Sequence, residues 1–215
     1  MNYYISDLHF CCSSEVDNGG KNYDNRPYKS LDEMHEDMLQ RWNRKVTNGD
    51  TVYILGDIGR RGRSEELISL MARLKGRKVL IKGNHDDLSD YRLKQIFAEV
   101  YDYKELSESF DGKSYKLVLS HYPILMWNGQ HKGAILLYGH THASSEDAYF
   151  QKCVREFLDN PHFIREGDIR GKAINVGCMH PYMSYEPRSL KELLTVEENG
   201  CRKIRQVHRG QDAVQ

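Results

Sequence analysis

The sequence predicts an α/β protein, because short apolar strands alternate with helical patterns along most of the chain. The strands are short runs of aliphatic and aromatic residues, and several of them end in Gly, Asp, Asn or His. The helical segments have apolar residues three and four positions apart, which is the spacing of a half-buried helix. The 215 residues contain no internal repeat, low-complexity tract or linker. We therefore expect a single domain over residues 1–215, with a motif-bearing core at 3–177 and a loosely held tail after about residue 199.

The predicted elements follow one another in a regular order. Residues 3–5 open as a strand, residues 10–28 form a long polar loop, and Ser30 with Glu33 fits a capping box at the start of a helix. Further helical patterns cover residues 64–74, 90–98, 148–158 and 188–195. Further strands are predicted at residues 51–55, 78–81, 100–106, 115–119, 134–138 and 172–176.

The composition argues against several classes of protein. Lysine plus arginine and aspartate plus glutamate each total 31, so the chain has no net charge and no bulk preference for nucleic acid or an anionic membrane. No stretch approaches the roughly 18 apolar residues of a membrane helix, and the N-terminus lacks the pattern of a signal peptide. The five cysteines form no CxxC pair, which favours a reduced, cytoplasmic protein.

Polar residues follow five of the apolar strands, and the ends of such strands converge on one edge of an open sheet. Any one of these residues alone is most often a turn former or a helix cap. Eight of them together favour a common site instead. They are Asp7, His9, Asp57, Asn84, His85, His121, His140 and His142. Imidazoles and carboxylates bind Zn, Fe, Ni and Mn, and a divalent cation offsets the cost of burying carboxylates together, so the pattern predicts a metal site.

The same residues lie in segments that resemble the five ordered motifs of the calcineurin-like metallophosphoesterases. The segments are Asp7-Leu-His9, Gly56-Asp57, Gly83-Asn84-His85-Asp86, His121 and Gly139-His140-Thr141-His142. Asn175-Val-Gly177 is similar to the closing strand of the family, and Asn25-Arg26-Pro27 with the following helix resembles a small, mostly uncharacterised bacterial and phage branch. The resemblance implies a four-layer α/β sandwich, in which two mixed β-sheets lie between helices.

The resemblance also implies a dinuclear metal centre of Mn, Fe, Zn or Ni ions. One ion would be held by Asp7, His9, Asp57 and His142, and the other by Asp57, Asn84, His121 and His140. A bridging carboxylate suits this division, because two cations about 3.5–4 Å apart need an anion between them. A hydroxide activated by the metals would then attack phosphorus. By the same resemblance, His85 is the general acid and Asp86 orients it.

Three arginines are candidate substrate contacts, because a guanidinium group matches the oxygens of a phosphate. Arg61 lies four residues after the bridging aspartate, where many relatives have an arginine, and Arg60 and Arg26 are the other two candidates. Arg60 stands where protein-phosphatase relatives have aspartate, and Phe10 replaces a frequent glycine. Both departures argue against a eukaryotic-type protein phosphatase. The alternative interpretation of these arginines is a solvated surface loop.

We therefore expect an enzyme that hydrolyses a phosphate ester, as a phosphodiesterase or a phosphatase, with a small phosphorylated molecule as substrate. A nuclease and a protein Ser/Thr phosphatase remain alternatives, since the same metal core serves all of these activities. A nuclease should have a basic track leading to the metals, and the balanced charge gives no sign of one. From a different class, a non-catalytic binding scaffold is a further alternative, and the intact motif residues argue against it.

Overall fold

The computed structural model describes residues 1–16 and 23–196, which form eight strands in two four-stranded sheets, with helices packed against them. Within these residues, none of the helices is long and apolar enough to span a bilayer. Part of the predicted loop at 10–28 and the predicted tail after about residue 199 lie outside the described residues. The single-domain assignment therefore stays a prediction.

The first sheet has its strands in the order β1-β2-β3-β4, and all of the strands are parallel. They are β1 (Asn2–Ile5), β2 (Thr51–Ile54), β3 (Arg77–Ile81) and β4 (Glu99–Tyr101). The connecting helices are α1 (Leu31–Lys45), α2 (Ser64–Arg73) and the short α3 (Tyr91–Lys94). In the part of the chain that is described, antiparallel pairing on this sheet is limited to one bridge between Tyr4 and Arg188.

The second sheet is mixed and has its strands in the order β5-β6-β7-β8. They are β5 (Tyr103–Phe110), β6 (Lys113–Ser120), β7 (Ile135–Tyr138) and β8 (Lys172–Asn175), with helix α4 (Ser145–Asp159) between β7 and β8. Strands β5 and β6 form an antiparallel hairpin, whereas β6, β7 and β8 are parallel. The hairpin turns at Asp111 and Gly112, whose φ angles of 49° and 74° suit a turn that continues the twist of the strands.

Alternate residues of the second sheet pack into two different cores, and this alternation defines the four layers. Leu117 and Leu119 of β6 face the main core, which also contains the first sheet and Trp42 of α1. Val118, between them, faces a smaller core with Val154 of α4. Fully burying a side chain of this size stabilises the fold by roughly 1.5–3 kcal/mol, so both faces of the sheet are held firmly. The predicted four-layer sandwich is confirmed, although only the second sheet is mixed and the four strands of the first are parallel.

The carboxyl ends of the two sheets are joined to each other just after β1. The Ser6 N–H donates to the carbonyl oxygen of Val176 at 2.8 Å, and the Cys178 N–H donates to the carbonyl oxygen of Ser6 at 2.9 Å. These bonds place the segment after β1 beside the segment after β8. Residues that follow strands of either sheet therefore meet in one region.

Two predicted elements differ from the structure. The predicted strand at 100–106 is divided at Asp102 into β4 and β5, which belong to different sheets. The predicted helix at 90–98 is a single turn, α3, capped by Asp90, whose carboxylate accepts the N–H of Arg92. Helix α1 begins as predicted, because the Ser30 hydroxyl accepts the N–H of Glu33 at 3.2 Å. The predicted helix at 188–195 corresponds to helical residues at 190–196.

Candidate metal centre

The eight residues predicted to form a site lie where the carboxyl ends of the two sheets meet. Asp7 and His9 follow β1, Asp57 follows β2, Asn84 and His85 follow β3, His121 follows β6, and His140 and His142 follow β7. Six of the eight line a cleft of about 660 Å³, and the other two, Asp7 and His121, are buried. A cleft of this volume is in the usual range for a small-molecule site.

Five of these residues have a left-handed backbone, which non-glycine residues adopt at a cost in free energy. Their φ angles lie between 49° and 69°. They are Asp7, His9, Asp57, His140 and His142. Asp and His tolerate this region better than most residues. Strained backbone of this kind is typical of binding and catalytic sites.

Two glycines that pack against carboxylates of the site leave no room for a side chain. A β-carbon built on Gly83 would lie 2.4 Å from Oδ1 of Asp57, and one built on Gly139 would lie 2.5 Å from Oδ2 of Asp7. Both distances are far below van der Waals contact. Any larger residue at either position would therefore displace a candidate metal ligand.

Two groups of side chains could each hold a metal ion. The first group is Asp7, His9 and His142, and the second is Asp57, His121 and His140. Within each group the potential ligand atoms lie within 4.8 Å of one another. The members are buried except for His140, which is half-buried. Carboxylates and imidazoles drawn together out of water are a donor set that a divalent cation fits.

The two groups are adjacent, and Asp57 lies between them. Its Oδ2 is 3.7 Å from Nε2 of His9 in the first group and 3.5 Å from Nε2 of His121 in the second. The amide oxygen Oδ1 of Asn84 lies 3.0 Å from Nε2 of His121, which adds a neutral oxygen donor to the second group. The structure thus brings together all seven residues that were predicted as metal ligands.

Hydrogen bonds to the outer nitrogens of two histidines aim their inner nitrogens at the site. Nδ1 of His121 lies 2.7 Å from the carbonyl oxygen of Leu55, and Nδ1 of His142 lies 2.6 Å from a carboxylate oxygen of Asp24. When each Nδ1 donates its proton to that oxygen, the neutral ring has an acceptor lone pair on Nε2. The Nε2 atoms of His142 and His9 are only 3.1 Å apart, so a proton or a cation between the rings stabilises this arrangement.

Burial favours the uncharged form of several groups in the site. It lowers the pKa of His9 well below its usual value, with Arg26 and the neighbouring imidazoles acting in the same direction. Burial likewise lowers the pKa of His140, assisted by His121. Neutral imidazole is the form that binds metals. Burial raises the pKa of Asp7, against the attraction of His142 and His121, so its carboxylate form needs a nearby positive charge.

His85 lies at the exposed rim of the cleft, next to the candidate ligands. Its backbone N–H donates to Oδ1 of Asp57 at 2.9 Å, and its ring centroid lies 5.5 Å from that of His9. The ring is exposed to solvent, as a group that exchanges protons with a substrate must be.

Asp86 does not have the position that the sequence led us to expect. Its carboxylate is buried and accepts the backbone N–H groups of Asp57 at 3.0 Å, Ile58 at 2.8 Å and Gly83 at 2.8 Å. In the described part of the structure it makes no hydrogen bond to the ring of His85. The expectation that Asp86 orients His85 is therefore corrected: the carboxylate ties the loop after β2 to the loop after β3.

The three candidate arginines occupy two different environments. Arg60 and Arg61 are exposed and line the cleft, and Nη2 of Arg61 donates to the backbone oxygen of Asn84 at 2.5 Å. Arg26 instead has a side chain with no exposed surface, and it donates to the backbone oxygens of Asp7 and Leu8. A guanidinium group that is fully engaged in the interior does not reach a substrate, so the expectation of substrate contact is wrong for Arg26.

The sequence interpretation missed Asp24, which connects Arg26 to the site. Its Oδ2 accepts from Nε and Nη2 of Arg26, and its Oδ1 contacts His142. Burial opposes the charged form of Asp24, but the bonds to His142 and Arg26 outweigh it and hold the pKa below its usual range. The only signal in the sequence was its place two residues before Arg26, in a loop too irregular to interpret.

A sequence model of the calcineurin-like phosphoesterases matches residues 3–165. The chain is 30% identical over 199 residues to the uncharacterized protein MJ1445 of Methanocaldococcus jannaschii, with 92% of each chain covered. It is 31% identical over 152 residues to the Gene 66 protein of Mycobacterium phage D29, with 60% of this chain and 72% of that protein covered. A solved structure, the protein of unknown function AQ665 from Aquifex aeolicus, matches with a TM-score of 0.59 and 25% identity over 91% of this chain and 98% of that one.

The matched residues contain both groups of candidate ligands and strands β2 to β7. The family is metal-dependent, which agrees with buried carboxylates and imidazoles that need a cation. The match to a phage protein agrees with the bacterial and phage branch that Asn25-Arg26-Pro27 and the following helix had indicated. The order of the motifs, the two stacked sheets and the match to the family's sequence model agree with one another. The chain therefore belongs to the calcineurin-like phosphoesterase family.

Proposed function

We propose that the protein hydrolyses phosphate esters at a dinuclear metal centre formed by the two groups of ligands. The observation that supports this most directly is the position of Asp57, with one carboxylate oxygen 3.7 Å from Nε2 of His9 and 3.5 Å from Nε2 of His121. That oxygen faces a ligand atom of each group. A carboxylate so placed can serve two cations at once.

In this proposal Asp57 is shared and each ion has three further ligands. Asp7, His9 and His142 complete the first position, and Asn84, His121 and His140 complete the second. When bound, the ions supply Lewis acidity that polarises a phosphoryl oxygen and lowers the pKa of a water molecule. The mixture of imidazole, carboxylate and amide donors suits Mn, Fe, Zn and Ni alike and does not select among them.

His85 is the proposed general acid, which gives a proton to the leaving oxygen. The hydrogen bond from its backbone N–H to Asp57 fixes the start of the side chain, and the ring then projects at the rim of the cleft. A group in this place can reach a substrate whose phosphorus lies over the metal ligands. The contribution expected of such a group is about 10²–10⁴-fold in rate.

Arg60 and Arg61 are the proposed phosphate contacts. Both side chains are exposed and line the cleft, and the bond from Arg61 to the backbone of Asn84 holds its guanidinium group beside the second ligand group. A planar guanidinium can donate two parallel hydrogen bonds to phosphate oxygens. The alternative interpretation as a solvated loop predicts no effect on substrate binding when these residues are replaced.

A small phosphorylated molecule is the proposed substrate, and the volume of the cleft, about 660 Å³, supports this class. A cytoplasmic setting is a further proposal, which rests on the cysteine pattern. Cys11, Cys12, Cys153 and Cys178 are all free thiols in the structure.

The test is hydrolysis of p-nitrophenyl phosphate and bis-p-nitrophenyl phosphate, followed by a nucleotide panel, by protein stripped of metal and reloaded with Mn, Fe, Zn, Ni or Co. We expect metal-dependent turnover of at least one substrate, abolished by His142→Ala and retained by His162→Ala, whose histidine is exposed outside the cleft. Absence of turnover with every metal and every substrate would contradict the proposal.

A further inference from the structure

We propose that Asp24 is a positioning residue for His142, and that it makes the Asp7/His9/His142 position the tighter of the two metal positions. The inference rests on the proposed metal centre and adds a difference between its two halves. It concerns a carboxylate outside every motif that had been predicted to contribute to the site.

The contact between Asp24 and His142 is short and buried. Oδ1 of Asp24 lies 2.6 Å from Nδ1 of His142, and the two side chains are 3% and 8% exposed. An imidazole that donates Nδ1–H to a carboxylate has its ring orientation fixed and becomes a more basic ligand at Nε2. Nε2 of His142 is the atom that faces Oδ1 of Asp7, at 3.7 Å.

Arg26 holds Asp24 in place and connects it to Asp7, another candidate ligand of the same group. Its guanidinium bonds to Oδ2 of Asp24 at 3.0 Å and to the backbone oxygens of Asp7 at 3.0 Å and Leu8 at 2.9 Å. A second carboxylate, that of Glu15, lies 3.3 Å from Nε of Arg26. One buried cation thus fixes the loop that contains Asp24 relative to the turn that contains Asp7.

Among the described residues, the histidines of the second metal position have no charged hydrogen-bond acceptor comparable to Asp24. His121 is held by the carbonyl oxygen of Leu55, at 2.7 Å from Nδ1, which is a neutral acceptor. His140, the other imidazole of that position, is half-buried, and among the described residues its ring packs against His121 and the exposed Tyr122 rather than against a carboxylate. A charged acceptor strengthens a hydrogen bond about twofold relative to a neutral one, so the first position is the better supported.

We expect Asp24→Asn to weaken one metal position by about 10–100-fold, which is the usual effect of removing an outer partner of a ligating histidine. The amide keeps the shape and an acceptor oxygen but loses the charge. Asp24→Ala, which removes the acceptor altogether, should weaken the same position further. The control is Asp37→Asn. Asp37 likewise accepts hydrogen bonds from an arginine, Arg41, and from a ring-bearing side chain, Tyr28, but none of these residues is a candidate metal ligand.

The experiment is titration of metal-free protein with Co²⁺, followed by calorimetry and by the visible absorption of the bound ion. Asp24→Asn is measured in three backgrounds: wild type, His140→Ala, which retains the first position, and His142→Ala, which retains the second. We expect loss of affinity in the first two backgrounds and no change in the third. Circular dichroism and urea unfolding of the metal-free variants establish that each one folds.

The remaining outcomes overturn the inference in distinguishable ways. Equal weakening of both positions, or weakening in the His142→Ala background, would show a general structural role. Two unchanged positions in Asp24→Asn would refute the role of Asp24 and leave the metal centre intact. Failure of wild-type protein to bind any Co²⁺ would refute the proposed centre itself.

Discussion

At the scale of single residues, Asp57 is the proposed link between the two groups of candidate metal ligands. Its carboxylate is almost fully buried and faces a ligand nitrogen of each histidine group. Its other oxygen accepts the backbone N–H of His85 at 2.9 Å. In the proposed dinuclear centre, the negative charge of this carboxylate would be the anion that two adjacent cations require.

The first prediction is that Asp57→Asn reduces metal content below two ions per chain. The amide retains the size of the side chain and removes the negative charge between the cations. We expect turnover to fall by more than the roughly 10–100-fold typical of outer-shell changes. Elemental analysis and steady-state kinetics measure the two effects, with Asp37→Asn as the matched control. Full metal content with normal turnover would refute the shared-ligand assignment.

The second prediction concerns His85, which we assign to proton transfer and not to metal binding. His85→Ala should keep full metal content and lose about 10²–10⁴-fold in rate on substrates with poor leaving groups. Substrates that release p-nitrophenolate need little protonation and should be affected much less. Comparison of alkyl and p-nitrophenyl esters tests this difference. Loss of metal in this variant would contradict the role.

The sequence predicted the residues of the site better than their roles. Asp7, Asp57 and His121 were identifiable because each follows an apolar strand, and strand ends converge. Arg26 and Asp86 were misassigned, because the sequence does not show how deeply a side chain is buried. Both charged groups lie in the interior, where they form hydrogen bonds with backbone groups. These partners depend on how separate loops pack together, which no local pattern records.

At the scale of elements, the loops after β2 and β3 are held together by one side chain. Asp86, which follows β3, accepts three backbone N–H groups, two of them from the turn after β2. The turn after β2 contains Asp57 in its left-handed conformation. Asp86 therefore helps to maintain a strained turn that presents a candidate metal ligand.

The third prediction follows from this arrangement. Asp86→Ala leaves three buried N–H groups without their acceptor, at about 1–3 kcal/mol each and not fully additive, so we expect a loss of about 3 kcal/mol or more in the free energy of unfolding. Urea denaturation of the metal-free protein measures it. Asp87→Ala, which removes an exposed carboxylate next in sequence, is the control and should change stability little. An unchanged stability with an altered pH profile of turnover would return Asp86 to a role with His85.

The turn before β2 gives a prediction about the stability of the fold at acidic pH. Asp50 accepts from the N-terminal ammonium group and from both the hydroxyl and the N–H of Thr47, and these bonds lower its pKa from 3.8 to about 2. Because the folded-state pKa is depressed, the stabilisation is complete above about pH 4 and is lost as the pH falls towards 2. The stability difference between wild type and Asp50→Asn should therefore shrink from pH 6 to pH 3 in urea titrations. A constant difference would contradict this explanation.

Sequence periodicity predicted most of the elements, but it did not show where one strand ends and the next begins in the other sheet. Residues 100–106 have the pattern of one strand, but the chain bends at Asp102 and continues in the other sheet. Apolar alternation is the same on both sides of such a bend. The capping box at Ser30 was predictable for the opposite reason, because both partners of that bond lie within one turn of helix.

At the scale of the whole molecule, both sheets contribute residues to the site because their carboxyl ends are joined at Ser6. Asp7 and Asp57 follow strands of the first sheet, and His121, His140 and His142 follow strands of the second. Neither sheet alone provides a complete set of ligands for the proposed pair of ions. The zero net charge of the chain therefore says little about the site, where two divalent cations would create a strong local positive field.

The most direct test of the central claim is anomalous diffraction from crystals grown with Mn²⁺. The proposed centre predicts two peaks about 3.5–4 Å apart, one beside Asp7, His9 and His142 and the other beside Asn84, His121 and His140, with Asp57 between them. A single peak, or peaks elsewhere with these side chains bonded only to one another, would contradict the account.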